Sequence, residues 1–459
     1  MKTQDLKDKL VAVLGYGLEG KATAAYLLKH GIKPVLFDQR PWKKWEKHEQ
    51  EKIKKLKVNF IFGPEAFKEL AGFEIAFRSP GIPLSHPDLQ VFKDTITFTS
   101  QTKWFFEHSR AKIIGVTGTK GKGTTASLIY EMLKSKSNKL TAKNYLTGNI
   151  GKEQPFEFLD FLKPDDWVVY ELSSFQLQDL GKSPHIGVVL MITQEHLDYH
   201  SDVNEYVDAK AAICKFQTSD DFVIYNGNYE TSADIGEAGK GHKLIFSTLA
   251  SIGSYCSEDC YIHKHQILLK GKPFLNINKI RLKGEHNRQN VCAAILAANA
   301  AGCGQEAIRK AIKNFKGLPH RLEFVAERQE IKFYDDSIST TPETTIAAIK
   351  SFDENLILIL GGSSKKSDFS ELGKIIRERQ NIKAVILVGQ ETRRIKKAIG
   401  KTKFKLLEGA KNMKEIFIRI KRVASGGDVV LLSPACASFG MFKNYQDRGD
   451  QFKKFANKF

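Results

Sequence analysis

Short apolar runs punctuate the chain, and most end in glycine or small polar residues. Leu10 to Leu14 runs into Gly15-Tyr-Gly-Leu-Glu-Gly20, and Val35 to Phe37 ends at Asp38. Glu74 to Phe77 precedes Ser79-Pro-Gly-Ile82, and Ala111 to Gly115 leads into Val116-Thr-Gly-Thr-Lys-Gly-Lys-Gly-Thr-Thr125. The pattern returns at Trp167 to Tyr170, Val188 to Ile192, Phe222 to Tyr225, Leu356 to Leu360, Ala384 to Val388 and Val429 to Leu432. Continuous rather than alternating apolar runs predict strands buried on both faces, as in parallel sheets. Between them, Lys21 to His30, Ala126 to Lys134, Asn204 to Phe216 and Asn287 to Ala301 read as helices. A more polar section, 241 to 283, reads as hairpins. Strand–helix alternation predicts an α/β protein. A chain of 459 residues exceeds one hydrophobic core, and the expectation is three α/β domains, at 1–102, 103–317 and 318–459.

Composition narrows the class. An apolar share of 42% and a charged share of 27% fit a soluble globular protein. No apolar run approaches the roughly 20 residues of a membrane span, and the N-terminus runs into a strand without a signal-peptide core. Cysteines 214, 256, 260, 292, 303 and 436 form no Cys-x-x-Cys pair, so free thiols and a cytoplasmic setting are expected. The net charge of +19 suits either a polyanionic partner or a lysine-rich solvated surface. The lysines are dispersed and no nucleic-acid motif accompanies them, which favours the surface reading. A monomer with no nucleic-acid partner is expected.

Three constellations carry chemistry. A strand, a glycine-lysine loop and a helix cradle polyphosphate: backbone N–H groups face the anion, Lys122 adds charge and a hydroxyl reaches Mg²⁺. The spacing departs from the standard P-loop, since Val116 stands five residues before Gly121. Gly15-x-Gly17-x-x-Gly20 with Asp38 matches a dinucleotide fingerprint. It serves NAD, another pyrophosphate ligand such as a UDP-sugar, or merely a tight strand–helix turn. Glu171 and His196 each follow an apolar strand, at the sheet edge where open α/β proteins bind ligands. With Thr124 they offer ligands to Mg²⁺ beside ATP phosphates, although a lone loop histidine is more often just hydrogen-bonded.

Together these residues resemble the Mur ligase family, along essentially the whole chain. Further carriers are Gly148-Asn-Ile-Gly151, Glu171-Leu-Ser-Ser-Phe-Gln-Leu177, Glu195-His-Leu-Asp198, Asp208-Ala-Lys210, Gly284-Glu-His-Asn-Arg-Gln-Asn290, Gly317-Leu-Pro-His-Arg-Leu-Glu323, Asp335-Asp-Ser337, Leu432-Ser-Pro-Ala-Cys-Ala-Ser438 and Phe442-Lys-Asn444. The serine-rich runs point to the glutamate-adding branch. The resemblance implies an N-terminal Rossmann-like UDP-binding domain, a central P-loop-type ATPase domain and a C-terminal Rossmann-like domain. It also implies an ATP-dependent ligase of peptidoglycan synthesis that joins D-glutamate to UDP-N-acetylmuramoyl-L-alanine through an acyl phosphate. By position, Gly118, Thr119, Lys120, Gly121, Lys122, Gly123, Thr124 and Thr125 would hold ATP phosphates, and Asn290, Arg321 and Asp336 the adenosine end. Thr124 and Glu171 would bind one Mg²⁺ and His196 a second, with Lys210 matching a carbamoylated lysine. Lys122, His196 and Lys210 would be the catalytic set. Gly17, Asp38, Ser79, Pro80, Gly81 and Asn149 would position the UDP-sugar, and Lys365, Ser438 and Tyr445 the incoming glutamate.

Three positions depart from the family pattern. Gly123 replaces a usual hydroxyl residue, Met191 an asparagine and Ile338 a lysine. The last removes a cation near the phosphate or the amino acid, so the acceptor, D- or L-glutamate, stays open. A folate polyglutamylating ligase would share the Gly121-Lys-Gly-Thr124 run but lacks the N-terminal glycine fingerprint. An NAD oxidoreductase leaves the phosphate loop idle, and a nucleic-acid-stimulated NTPase has only the charge behind it.

Overall fold

A computed structural model describes residues 1–136, 142–151, 153–193, 202–248, 259–364 and 367–459. The fold is α/β, as expected, with three sheets among the described residues. The first comprises β1 (Val11–Leu14), β2 (Val35–Asp38), β3 (Phe60–Phe62), β4 (Ile75–Arg78) and β5 (Thr97–Thr99) in the order β3-β2-β1-β4-β5. All four pairings are parallel. The chain steps outward from β1 through β2 to β3, then returns to β1's other side. That reversal is a topological switch point, and it leaves a crevice at the carboxyl end of β1.

Among the described residues, the second sheet has nine strands. They are β6 (Lys112–Thr117), β7 (Asn144–Gly148), β8 (Trp167–Glu171), β9 (Ile186–Val189), β10 (Phe222–Asn226), β11 (His242–Ser247), β12 (Cys260–His263), β13 (Gln266–Leu269) and β14 (Lys272–Asn276). Their order is β14-β13-β12-β11-β10-β9-β6-β8-β7, so β6 lies between β8 and β9 at a second switch point. The 241–283 section is only partly the hairpin array expected. β11 and β12 extend the parallel sheet, while β12 and β13 form an antiparallel hairpin. The third sheet holds β15 (Glu323–Arg328), β16 (Ile331–Asp335), β17 (Leu356–Gly362), β18 (Ile382–Gly389), β19 (Lys405–Ala410) and β20 (Val429–Leu432), ordered β15-β16-β20-β17-β18-β19. Among the described residues, only β15 is antiparallel to its neighbour.

The chain packs as two compact units, Met1–Leu275 with Gln289–Ala311, and Asn276–Arg288 with Ile312–Phe459. The first carries the five-stranded sheet and all but the end of the nine-stranded one, over a shared core that includes Val13, Phe77, Trp104, Phe156, Tyr170 and Val189. In the second, Leu356, Leu358 and Leu360 bury on one face of β17 and Ile357 and Ile359 on the other. Burial on both faces is what the unbroken apolar runs foretold.

The helices that matter for the site are α1 (Leu18–Lys29), α2 (Lys122–Lys136), α3 (Val203–Lys215), α4 (Glu285–Ala300) and α5 (Tyr445–Ala456). α1 and α2 begin three and four residues earlier than the apolar pattern suggests. The glycines that look like turn residues therefore lie inside or against the first helical turns.

Candidate active site

In the first unit the two glycine-rich turns occupy the two switch points. Gly15 takes φ +82° and its carbonyl accepts the Ser79 hydroxyl at 2.9 Å, joining the Gly15–Gly20 turn to Ser79-Pro-Gly81. Gly20 sits so close beneath that a Cβ there would lie 1.9 Å from the Gly15 carbonyl oxygen, whereas one on Gly17 would meet nothing within 4 Å. Asp38 braces the same turn, its carboxylate accepting the Tyr16 and Arg40 N–H groups at 2.8 Å each.

The phosphate loop leaves β6 in the same manner. Gly118 and Gly121 have φ of +147° and +90°. A Cβ on Gly121 would fall 2.3 Å from Asn290 Oδ1 on α4, so the asparagine backs the loop directly. Thr119 N–H donates to the Met191 carbonyl (2.8 Å), and its hydroxyl exchanges hydrogen bonds with Thr193 at 2.9 Å. Met191 thus contributes its backbone, which is indifferent to the asparagine the family pattern would place there. Lys122, the first residue of α2, donates from Nζ to the Gly118 (2.9 Å) and Thr119 (3.2 Å) carbonyls. Gly123 follows it, and Thr124 and Thr125 in the first turn are buried. Lys120 is exposed on the loop.

Lys210 on α3 is 2% exposed. Its Nζ reaches Thr117 Oγ1 (3.4 Å) and the Gly118 carbonyl (3.3 Å) from below the loop and lies over the Tyr206 ring, 4.6 Å from its centroid. Lys210 is therefore no solvated surface lysine, and its helical spacing carries a signal. Tyr206, Ile213 and Cys214, at helical intervals from Lys210, are all buried, so position 210 lies on the inward face.

A cavity of about 580 Å³ reaches from the first glycine-rich turn to Lys122 of the phosphate loop. Gly15, Gly17 and Ser79–Gly81 line one part, Lys122, Asn149 and Glu171 another. Glu171 ends β8, beside β6, and is buried. His196 and Lys365 lie outside the described residues.

The second unit gathers another polar cluster. Asp336, just past β16, is buried and accepts the Leu322 N–H (3.1 Å) and the Ser433 hydroxyl (2.7 Å). Burial raises its carboxyl to about 6 despite Ser339, Ser433, Leu322 and the Arg321 charge, which oppose the shift. Arg321 itself is exposed. Ser438 is buried, and Tyr445 opens α5 behind the Asn444 cap. Arg448 on α5 is 2% exposed and binds Ser337 and the Cys436 carbonyl (3.2 Å). His320 Nδ1 pairs with Asp335 at 2.7 Å, and Glu323 accepts the His320 N–H (2.8 Å) and Lys453 (3.2 Å). These three side chains lie close enough to ligate a cation, but their mutual and neighbouring bonds explain them as a structural pin. The five described cysteines are buried thiols outside any disulfide, as the thiol reading expected.

Family models match three stretches: the Mur ligase MurD-like N-terminal domain over residues 9–97, the Mur ligase middle domain over 116–298, and the Mur ligase glutamate ligase domain over 320–436. The chain is 36% identical over 455 residues to the UDP-N-acetylmuramoylalanine–D-glutamate ligase of Clostridium tetani, covering 97% of this chain and 96% of that one. The chain belongs to the Mur ligase family. The enzyme of the same name from Acetivibrio thermocellus is also 36% identical, covering 98% and 97%. Among solved structures, a UDP-N-acetylmuramoylalanyl-D-glutamyl-2,6-diaminopimelate–D-alanyl-D-alanyl ligase from Acinetobacter baumannii superposes with a TM-score of 0.61 at 15% identity, covering 99% and 97%. MurF of Thermotoga maritima, solved with ADP, gives 0.55 at 16%, covering 100% and 97%. Both share the three-sheet fold of this Mur ligase, an ATP-using enzyme by family. No described helix is long and apolar enough to cross a membrane.

Proposed function

We propose that this ligase joins D-glutamate to UDP-N-acetylmuramoyl-L-alanine in peptidoglycan precursor synthesis. The observation that carries this reading is the shared cavity. Lys122 and Glu171 line it together with Gly17 and Ser79–Gly81, so the groups proposed to hold the phosphoryl donor and those proposed to hold the nucleotide-sugar face one cavity. The domain limits at 102 and 317 belong to the same reading, as do a cytoplasmic location and action as a monomer.

The acceptor carboxylate is a poor electrophile. Its oxygen attacks the ATP γ-phosphorus, ADP departs, and the resulting acyl phosphate carries a good leaving group. The amine of glutamate then adds to the carbonyl carbon, loses a proton, and the tetrahedral intermediate expels phosphate to leave the amide. Lys122 and the loop N–H groups from Gly118 to Thr125 stabilise the transferring phosphoryl oxygens. Thr124 and Glu171 would hold one Mg²⁺ and His196 a second; the metal, when bound, neutralises phosphate charge. The hydroxyl and carboxylate donors suit that hard cation. Lys210, enclosed under the loop, is the carbamoylation site in this reading. Asn290, Arg321 and Asp336 serve the adenosine end, Asp38 and Asn149 the UDP-sugar, and Lys365, Ser438 and Tyr445 the glutamate.

Phosphate release from ATP with UDP-N-acetylmuramoyl-L-alanine tests the proposal. D-glutamate should support turnover, and Lys122→Ala should lower it by about a hundredfold or more through lost phosphate stabilisation. Turnover with L-glutamate alone would retain the chemistry and attribute the changed acceptor to Ile338. No turnover with either would reject the substrate and favour a folate-polyglutamylating type of reaction.

A further inference from the structure

The first-unit cavity contains polar groups to which the proposed roles give no task. Gln101, which opens the helix Gln101–His108, is 2% exposed and lines the cavity. Neither its side-chain oxygen nor its nitrogen meets a partner among the described residues. Glu19 lines the same cavity, two residues beyond Gly17. Its Oε1 accepts Gln176 Nε2 at 2.9 Å, while Oε2 is sealed from solvent and unpartnered among the described residues. A buried amide with both ends unpaired costs stability, and a ligand that completes it is a physical reason to keep it.

The surroundings of Glu19 decide its charge. Arg78 of β4 faces it but is committed to Asp179 at 3.0 Å. Burial dominates and raises the Glu19 carboxyl to about 7, with Gln176 and Arg78 opposing and Asp179 assisting. Tyr170, bonded to Thr102 at 3.1 Å, stands behind it, and Lys122 and Glu171 line the enclosure. An ionised Glu19 would repel a diphosphate, whereas the neutral acid carries an O–H that donates to an anionic oxygen.

The geometry points to Glu19 and Gln101 as a substrate-reading pair that hydrogen-bonds the nucleotide-sugar, with Glu19 in its neutral form, so that binding takes up a proton wherever Glu19 is ionised in the free enzyme. This rests on the function proposed above. Glu19 ionises as pH rises through about 7, so affinity for the UDP-substrate is flat below that pH. Above it, affinity falls by about tenfold per pH unit. The KM for that substrate follows, while kcat at saturation does not, because neither residue touches the reacting atoms.

The test is calorimetric titration with UDP-N-acetylmuramoyl-L-alanine at pH 6 and pH 8.5, in buffers of different ionisation enthalpy. Wild type should take up about one proton at pH 8.5 and little at pH 6, and Glu19→Gln should take up none, with a Kd unchanged between the two. Gln101→Met should weaken binding roughly tenfold while the unliganded protein melts no lower, because the unpaired amide is gone. Wild-type enzyme that binds and turns over with a pH-independent Kd and no proton uptake would overturn the inference and leave the function standing. Gln101→Met that melts lower yet binds normally would assign Gln101 to the fold and remove it from the pair. Failure of the wild type to bind this substrate would overturn both readings. If Glu19→Gln does not fold, the wild-type proton count decides alone.

Discussion

Arg448 Nη2 donates to the Ser337 carbonyl at 2.8 Å while its Nε donates to the Ser337 hydroxyl at the same distance. That fork, reaching from α5, holds the residue next to Asp336. Burial lowers the guanidinium to about 10, so it stays charged at neutral pH. Arg448→Met should lower unfolding free energy by about 3 kcal/mol, since it orphans buried acceptors that a neutral chain cannot satisfy. Arg448→Lys should recover only part, because an ammonium does not span the fork. Urea unfolding midpoints check both, and a wild-type midpoint for Arg448→Met would show that the loop holds itself.

The N-terminal glycines should separate by role. Gly20→Ala places a methyl 1.9 Å from a backbone oxygen and should cost more than about 2 kcal/mol. Gly17→Ala meets nothing in the protein but narrows the cavity. It should melt like wild type and raise the KM for the UDP-substrate. Thermal melts alongside steady-state kinetics distinguish them, and equal losses of stability would leave Gly17 as a turn residue only.

Asp336 should give stability a pH slope. Its folded value of about 6 exceeds the unfolded carboxyl value of about 3.9. Between those values the folded state keeps a proton that the unfolded state has released. Its contribution is therefore fully present below about pH 4 and lost as pH rises through about 6, on the order of 3 kcal/mol. Urea unfolding from pH 4 to 7.5 should show the decline, and Asp336→Asn should flatten it. An equal slope in the variant would assign the pH dependence elsewhere.

Lys210→Ala should reduce phosphate release by at least about a hundredfold, and added acetate or propionate should restore part of it by supplying an anion in the emptied space. The carbamate reading requires that restoration. A fully active Lys210→Ala would exclude it, and an inactive variant that no acid restores would point to Lys210 acting as a cation on Thr117 and the Gly118 carbonyl.

Strands and glycine turns were legible because burial on both faces leaves an uninterrupted apolar run. Helix starts were less so: α1 and α2 begin within the glycine motifs, where close packing rather than propensity sets the first turn. The burial of polar residues was the least legible feature. Arg448 shares its helical face with Phe452 and Ala456, both buried, and Lys210 shares its face with Tyr206 and Cys214. Helical spacing would have flagged each. Gln101 and Glu19 offered no such cue, because their burial depends on which sheet edge closes over them, and that is a property of topology. The strand β11 falls in the polar 241–283 section that reads as hairpins, and it opens on the polar pair His242 and Lys243, although its pairing with β10 is parallel.

The enclosure that Lys122 shares with Gly17 and Ser79 also bears on inhibitor design. A compound joining a uridine diphosphate head to an anionic tail reaching the phosphate loop would lose its overall rotational and translational freedom once for two sets of contacts. Its inhibition should be competitive against the sugar nucleotide and against ATP alike, and each linker atom beyond the span of the cavity should weaken it.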